Sequence, residues 1–319
     1  MRLACVGNAL YDIVAFVESD FASRLGLHVG STVHAQRHEI DAILPMIRSA
    51  SRGAGGGATN TARVFASLGH AASFAGMIGK DALGQEFYDD LDSSSVELFL
   101  QYSKESTGVF CALIAPEGAK TIIVAPSAAP CLVPESIPDR FFSSDATLYI
   151  DGFLAAYPET VLSLVHRARS ANMKIALDVA GFRIAVKHRD LFLKLIQESC
   201  SWTFMNEDEF IALSESGVDN ALQSFSADAP GIVVVKRAEI GAICVSDGSV
   251  LESVVRPIQA TDTTGAGDAF AAGFLSAALS GAPLARCLRL GNRVAEHAIQ
   301  EPGLSLDAAR LKQAVRTVL

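Results

Sequence analysis

Short apolar, β-branched runs alternate along this chain with longer segments whose apolar positions recur every three to four residues. The runs RLACVG, ASFAGMIG, GVFCALIA, KTIIVAP, ATLYIDG, KIALDVA, SWTFMN, GIVVVKR and GAICVSD predict strands. TNTARVFASLG, DALGQEFYDDLDSSS, PETVLSLVHRARSA, AFAAGFLSAALSG and APLARCLRLGNRVAEHAI predict helices. From about residue 145 the order is strand, helix, strand, helix, strand. That order requires parallel crossovers, so the expected class is a layered α/β domain with a mostly parallel central sheet. Segments 12–50 and 100–126 read differently, as shorter strands broken by polar residues. They predict a small β lid over one end of the main sheet. No repeat or linker divides the chain, so 1–319 is expected to be a single domain.

Half of the 319 residues are apolar and 19% are charged, which is a globular composition. The longest apolar runs are strand-sized, too short to cross a bilayer. The opening MRLACVGNALYD enters a strand at once, with no signal-peptide pattern. Six cysteines at 5, 111, 131, 200, 244 and 287 form no C-x-x-C pair, which suits buried thiols in a reducing cytoplasm. A net charge of −9 offers no general attraction to nucleic acid or to an acidic membrane. The expected partner is a small-molecule substrate, with the chain a monomer or homodimer.

Open α/β sheets bind ligands at the carboxyl ends of their strands. Asp12, Asp151, Asp178 and Asn206 all follow strand runs, and each taken singly is accounted for as a helix cap. A constellation is needed, and DTTGAGDAF (262–270) supplies one. Its glycine turn feeds a helix N-terminus, where free N–H groups and the helix dipole favour an anion. An acid at the mouth of an anion cradle is electrostatically awkward, and phosphoryl transfer gives it a task. The amides hold the charge on the transferred group while Asp268 takes the proton from an attacking hydroxyl. The Walker A lysine is absent. GAGGGATN (53–60) contains a G-x-G-x-x-A match, but the pattern shows no strand before it, which counts against a dinucleotide fingerprint.

DTTGAGDAFAAGF resembles the C-terminal signature of the ribokinase-like (PfkB) carbohydrate and nucleoside kinases. The resemblance extends over nearly the whole chain. GNALYDI (7–13) is similar to the family's first-strand motif, AGGGATNTARVFASLG (54–69) to its N-terminal signature, GMIGKDALGQEF (76–87) to its G-x-D-x-x-G element and NEDE (206–209) to its N-x-x-E motif. The connecting stretches are most similar to the adenosine kinase branch. The resemblance implies a ribokinase-like α/β/α fold and an ATP- and magnesium-dependent kinase acting on a primary hydroxyl. A ribose-containing nucleoside is the leading acceptor, and a free sugar such as ribose or fructose is the alternative. A silent nucleoside- or sugar-binding regulator and a dehydrogenase fit the sequence less well.

Roles follow position by position. The resemblance implies Asp268 as the base, with the amides of Gly265, Ala266 and Gly267 as the anion hole. Asp12 and Asn60 would grip vicinal hydroxyls over a floor lined by Asn8, Gly55 and Gly56, with Phe153 stacking on a base. Asn206 and Glu209 would order magnesium through water. Lys120, Asn206, Lys236, Ala238, Gly241 and Asn292 would serve the nucleotide. Asp262, Thr264 and Gly303 would contribute to a monovalent-cation site, with potassium the expected ion. There are departures from the pattern. Ala238 replaces a glycine, Arg237 an apolar residue, Lys120 an arginine, Pro130 an asparagine and His34 an apolar residue of a purine pocket. His34 and His38 are read as a solvated lid face rather than a metal clasp.

Overall fold

The computed structural model describes residues 1–47, 50–214, 225, 231–256, 258–300, 311 and 315. Its strands are β1 (Arg2–Val6), β2 (Leu10–Phe16), β3 (Thr32–His34), β4 (Ala50–Gly55), β5 (Ala71–Gly79), β6 (Val96–Ser103), β7 (Gly108–Ile114), β8 (Lys120–Ala125), β9 (Ala146–Asp151), β10 (Lys174–Asp178), β11 (Trp202–Asn206), β12 (Ile232–Lys236), β13 (Gly241–Ser246) and β14 (Ser249–Val254). Nine of them form one sheet in the order β14-β13-β12-β11-β10-β9-β1-β5-β6. From β12 to β6 every pairing is parallel, and β13 and β14 are added antiparallel at one edge.

A parallel sheet survives only with both faces covered, and the central strands show it. Every residue of ATLYID in β9 is buried. Alternation along β1 sends Leu3 and Cys5 into one core and Ala4 and Val6 into another. The first core receives helices Gly57–Ser67, Ala266–Leu279 and Leu284–Ala298; the second receives Pro158–Ser170, Arg189–Glu198 and Glu207–Ser214. Helix Ala266–Leu279 is buried continuously from Ala269 to Ala277. That explains why AFAAGFLSAAL has no polar stripe: neighbours lie on all sides, and Phe274 meets Phe204 of β11 edge-on at 5.3 Å.

The remaining five strands form a second sheet, β3-β8-β7-β2-β4. Its apolar face, including Ile13, Cys111, Leu113 and Ile123, packs with Ile40 of helix Arg37–Ile43. Asp81 fastens the two sheets together. It caps helix Ala82–Asp92 through Gly84 N–H, accepts from Thr107 N–H and Oγ1 just before β7, and meets Arg37 at 3.3 Å. The G-x-D-x-x-G element is therefore a junction.

Three expectations need correction. A strand does precede GAGGGATN: β4 runs through Gly55, where paucity of side chains hid the pattern. It belongs to the small sheet and pairs antiparallel to β2, so it is not the strand of a nucleotide-binding βαβ unit. Residues 100–103 extend β6 on the edge of the main sheet, and the small sheet resumes only at Gly108. Cys131 is exposed, whereas the other five cysteines are buried thiols. No helix among the described residues is long and apolar enough to cross a membrane.

Candidate functional site

The carboxyl ends of β1, β9, β10, β11 and β12 lie along one edge of the parallel sheet, and Lys120 of the small sheet reaches Thr264 beside it. On the small-sheet side, Asn8 follows β1 and Asp12 lies within β2, whose neighbour β4 brings Gly55 opposite Leu10. A Cβ at Gly55 would stand 1.9 Å from the Asp12 Cγ, so only glycine leaves that carboxylate its place. Gly56 has φ +95°, and a Cβ there would lie 2.2 Å from the Asn8 carbonyl oxygen. The Oδ1 atoms of Asn8 and Asp12 are both buried without a hydrogen-bond partner. Burial pushes the Asp12 carboxyl up to about 7, against the pull of Arg63 and Lys120 and with reinforcement from Asp262. These two acceptors would suit a ligand that presents O–H donors, as a vicinal diol does.

Across the crevice, Gly265 takes the left-handed conformation (φ +73°) and starts helix Ala266–Leu279. The amides of Gly265, Gly267 and Asp268 have no acceptor among the described residues, as the first turn of a helix leaves them. Ala266 N–H instead reaches the Thr263 carbonyl at 3.3 Å, so this amide of the expected anion hole is partly engaged by the turn itself. Asp268 lies in the first helical turn and accepts from Asn60 Nδ2 at 2.9 Å. Burial drives its pKa well above the carboxylate range; the Asn60 bond and Lys236 oppose this, and Asp178 and Asp151 add to it. Asn60 was expected on the sugar hydroxyls, yet its amide nitrogen is given to the base.

In the sequence Asp151 and Asp178 stand only as separate strand-end acids. They are register partners at the ends of β9 and β10, and both are buried. A Cβ on Gly57 would lie 3.2 Å from Asp151 Oδ2 and 3.2 Å from Asp268 Oδ1, so the two carboxylates flank one glycine. Burial raises Asp151 to about 6, opposed first by the Phe153 amide. Lys236, at the end of β12, supplies the countercharge. Its Nζ is 2.7 Å from Asp178 Oδ2 and 3.0 Å from where a Gly267 Cβ would be, so an ammonium lies over the glycine turn. Acids ending adjacent strands are the available signal; the pairing of Asp178 with Lys236 is not legible in it.

On the nucleotide side, Asn206 and Glu209 satisfy each other. Glu209 accepts from Asn206 N–H and Nδ2 at 2.9 Å each, and Asn206 Oδ1 accepts from Glu209 N–H at 2.8 Å. Burial lifts Glu209 to about 7, with Lys236 opposing. A pair so engaged fits magnesium held through water, the usual state of an ion that keeps its hydration shell. Among the described residues no three His, Cys, Asp or Glu side chains form a metal cluster. A nucleotide's phosphates would fit the open amides of Gly267 and Asp268 and the Lys236 ammonium. Ala238 has φ +46°, so it does stand where the backbone favours glycine, and Gly241 (φ +121°) would place a Cβ 2.1 Å from the Ser253 carbonyl. Asn292 donates to Ser253 O and Oγ, clamping β14 to its helix.

Lys120, at the start of β8, donates to Thr264 Oγ1 and stands 3.7 Å from the buried Asp262. Asp262 Oδ1 in turn accepts from Thr264 N–H and Oγ1. Lys120 thus stands beside the expected cation-site pair, while Gly303 lies outside the described residues. Phe153 is 48% exposed on the turn after β9, and its ring approaches to 3.4 Å of where a Gly181 Cβ would be. His34 and His38 are exposed on β3 and the following helix.

Comparison with known proteins bears on the family and the fold. Residues 2–310 match the family described as pfkB family carbohydrate kinase. Adenosine kinase 1 of Arabidopsis thaliana is 25% identical over 334 aligned residues, spanning 93% of this chain and 94% of that protein. The crystal structure of adenosine kinase from Sinorhizobium meliloti superposes with a TM-score of 0.88 at 26% identity, covering 100% of this chain and 99% of that one. A protein from Rhizobium etli CFN 42 described as a probable sugar kinase superposes with a TM-score of 0.90 at 25% identity, over 99% and 97% of the two chains. A family match along nearly its whole length, on a ribokinase-like α/β fold, places this chain in the pfkB family, as a phosphotransferase that uses an alcohol group as acceptor.

Proposed function

We propose that this protein is a nucleoside kinase that moves the γ-phosphoryl group of ATP to the primary hydroxyl of a ribose-containing nucleoside, with adenosine the first acceptor to test. One observation carries the reading. The orphaned Oδ1 atoms of Asn8 and Asp12 ask for hydroxyl donors on one side of the crevice, and Asp268 waits at a helix N-terminus on the other. A ribose gripped by its vicinal diol keeps a primary hydroxyl free to face the base.

Bound ATP with magnesium supplies the phosphoryl group and part of the charge neutralisation. The protein's work is positioning. Gly265, Gly267 and Asp268 offer amides to an anion, and Lys236 adds a positive charge over the same turn. Asp268 takes the hydroxyl proton. A free aspartate is a weak base at neutral pH, and burial here raises its proton affinity. Asn60 holds that carboxylate by Oδ2, leaving Oδ1 on the Gly57 side.

The exposed Phe153 ring favours a nucleoside over a sugar, since a base can stack on it. A free-sugar kinase is supported by a different fact: the orphan pair recognises a diol and reads no base. ADP release measured over a panel of nucleosides, ribose and fructose decides. Adenosine should exceed every sugar by about tenfold or more in kcat/KM, about the worth of one stacked base. Ribose or fructose outpacing every nucleoside would put the sugar reading in its place.

A further inference from the structure

The run GAGGG (53–57) gives the floor beside Asp12 almost no side chains of its own to hold it. Close contact demands that. A Cβ on Gly53 would lie 2.8 Å from Asp90 Oδ2, and one on Gly55 would strike the Asp12 carboxylate. Glycine is also the residue that loses most freedom on ordering, so such a strand is costly to fix. β4 is moreover the last strand of its sheet, with β2 as its only ladder partner. An edge of this kind needs cover.

The cover is an ion pair. Ala54 N–H donates to Asp90 Oδ2 at 2.6 Å, and the Ala54 carbonyl accepts from Arg63 Nη2 at 2.9 Å. Arg63 meets Asp90 at 2.8 Å, so the two side chains close the edge much as a further strand would. They come from different helices, Arg63 from Gly57–Ser67 and Asp90 from Ala82–Asp92. One turn before Asp90, Glu86 accepts from the Tyr11 hydroxyl, and Tyr11 is the ladder partner of Ala54. Helix Ala82–Asp92 therefore grips both members of the pair that adjoins Asp12 and Gly55. Asp90 is 40% exposed, and an ion pair so open to water adds little stability by itself. Its consequence is where it holds the strand.

We propose that Arg63 is a positioning residue for acceptor binding: with Asp90 it clasps the free edge of β4 and keeps Gly55 and Gly56 against Asp12 and Asn8. It acts through the strand and is not itself an acceptor ligand. Its charge works in the same direction. Burial raises the Asp12 carboxyl, and Arg63 is the foremost of the charges that pull it back, ahead of Lys120 and against Asp262.

The proposal rests on reading Asp12 as an acceptor ligand, and one arm of the test does not need that reading. In amide hydrogen exchange on the ligand-free protein, residues 50–56 should exchange about tenfold faster or more in Arg63→Met and in Asp90→Ala than in the wild type, with β1 and β9 unchanged. In ADP release from adenosine and Mg-ATP, Arg63→Met should raise the adenosine KM roughly tenfold or more, the worth of a hydrogen bond to a charged group. Its kcat and its KM for ATP should change by less than about threefold, the pattern of lost acceptor binding. Arg63→Lys, which keeps the charge, should recover part of the loss. The Arg63→Met, Asp90→Ala double variant should be no worse than the worse single one, because the two side chains act as one clasp. Should Arg63→Met fail to fold, Asp90→Asn, which removes the charge and leaves Ala54 an acceptor, should raise the adenosine KM several-fold with kcat and the ATP KM again held. Unchanged exchange in residues 50–56 would overturn the proposal. So would faster exchange with an unaltered acceptor KM, or a loss that falls equally on acceptor, ATP and kcat. A wild type that phosphorylates ribose or fructose and ignores adenosine would remove the nucleoside reading, and the same KM comparison made with that sugar would still decide the role of Arg63.

Discussion

Asn60 donates its side-chain amide to Asp268 Oδ2 at 2.9 Å, across 208 residues of sequence. The bond joins helix Gly57–Ser67 to helix Ala266–Leu279 at the two ends of the family's paired signatures. It also sets the direction of the carboxylate that faces the anion turn. Asp268→Asn should lower kcat by about 10²–10⁴-fold, the usual worth of a general base, with the turn's amides intact. Asn60→Ala should lower kcat by less and shift the acidic limb of the kcat profile upward, because its hydrogen bond holds the Asp268 pKa down. An Asp268→Asn variant with near-normal turnover would take Asp268 out of the mechanism.

Asp12 carries the prediction for pH. Its folded pKa of about 7 lies above the ordinary carboxylate value, so it holds a proton in the empty protein below neutrality. Hydroxyl donors bind the carboxylate form. Acceptor KM should therefore rise roughly tenfold for each pH unit below about 7, the equivalence of one pKa unit in free energy. Stability runs the other way: the raised pKa contributes stability fully present below the unfolded value near 4 and lost as pH climbs through about 7. Asp12→Asn should thus flatten the KM profile and raise the melting temperature more at pH 8 than at pH 5. A KM independent of pH in the wild type would sink the assignment.

Ala238 offers a test that needs no substrate. It holds φ +46°, where a side chain costs about 1–2 kcal/mol that glycine avoids. Allowing for glycine's greater freedom when unfolded, Ala238→Gly should add about 0.5–1 kcal/mol. In a protein of this size that is roughly 1–2 °C in melting temperature. Gly241→Ala should do the reverse, since its Cβ would strike the Ser253 carbonyl. A lower melting point for Ala238→Gly would mean that the alanine methyl packs usefully in a way its backbone angle does not reveal.

Phe153 separates the two acceptors. Replacing it with alanine should weaken a nucleoside by several-fold, within the roughly 1–3 kcal/mol of base–aromatic stacking, and leave any activity on ribose unchanged. Equal losses on nucleoside and sugar would show that the ring only shapes the turn after β9.

The layered class and the two motifs that meet at the site are legible in local pattern. Strand runs such as ATLYID are apolar on both faces because both faces are covered, and that requirement is written residue by residue. The glycine turn was equally legible, since a left-handed Gly265 before a helix is a local demand. Tertiary structure alone decided who partners whom. Nothing local pairs Lys236 with Asp178, or sends Lys120 to Thr264 and Asn60 to Asp268, because charges and amides carry no periodicity and find partners only when distant strands end in one place. The strand before GAGGG escaped for a related reason: glycines signal nothing in a hydrophobic pattern, and β4 is held there by its ladder to β2 and by the room that Asp12 needs.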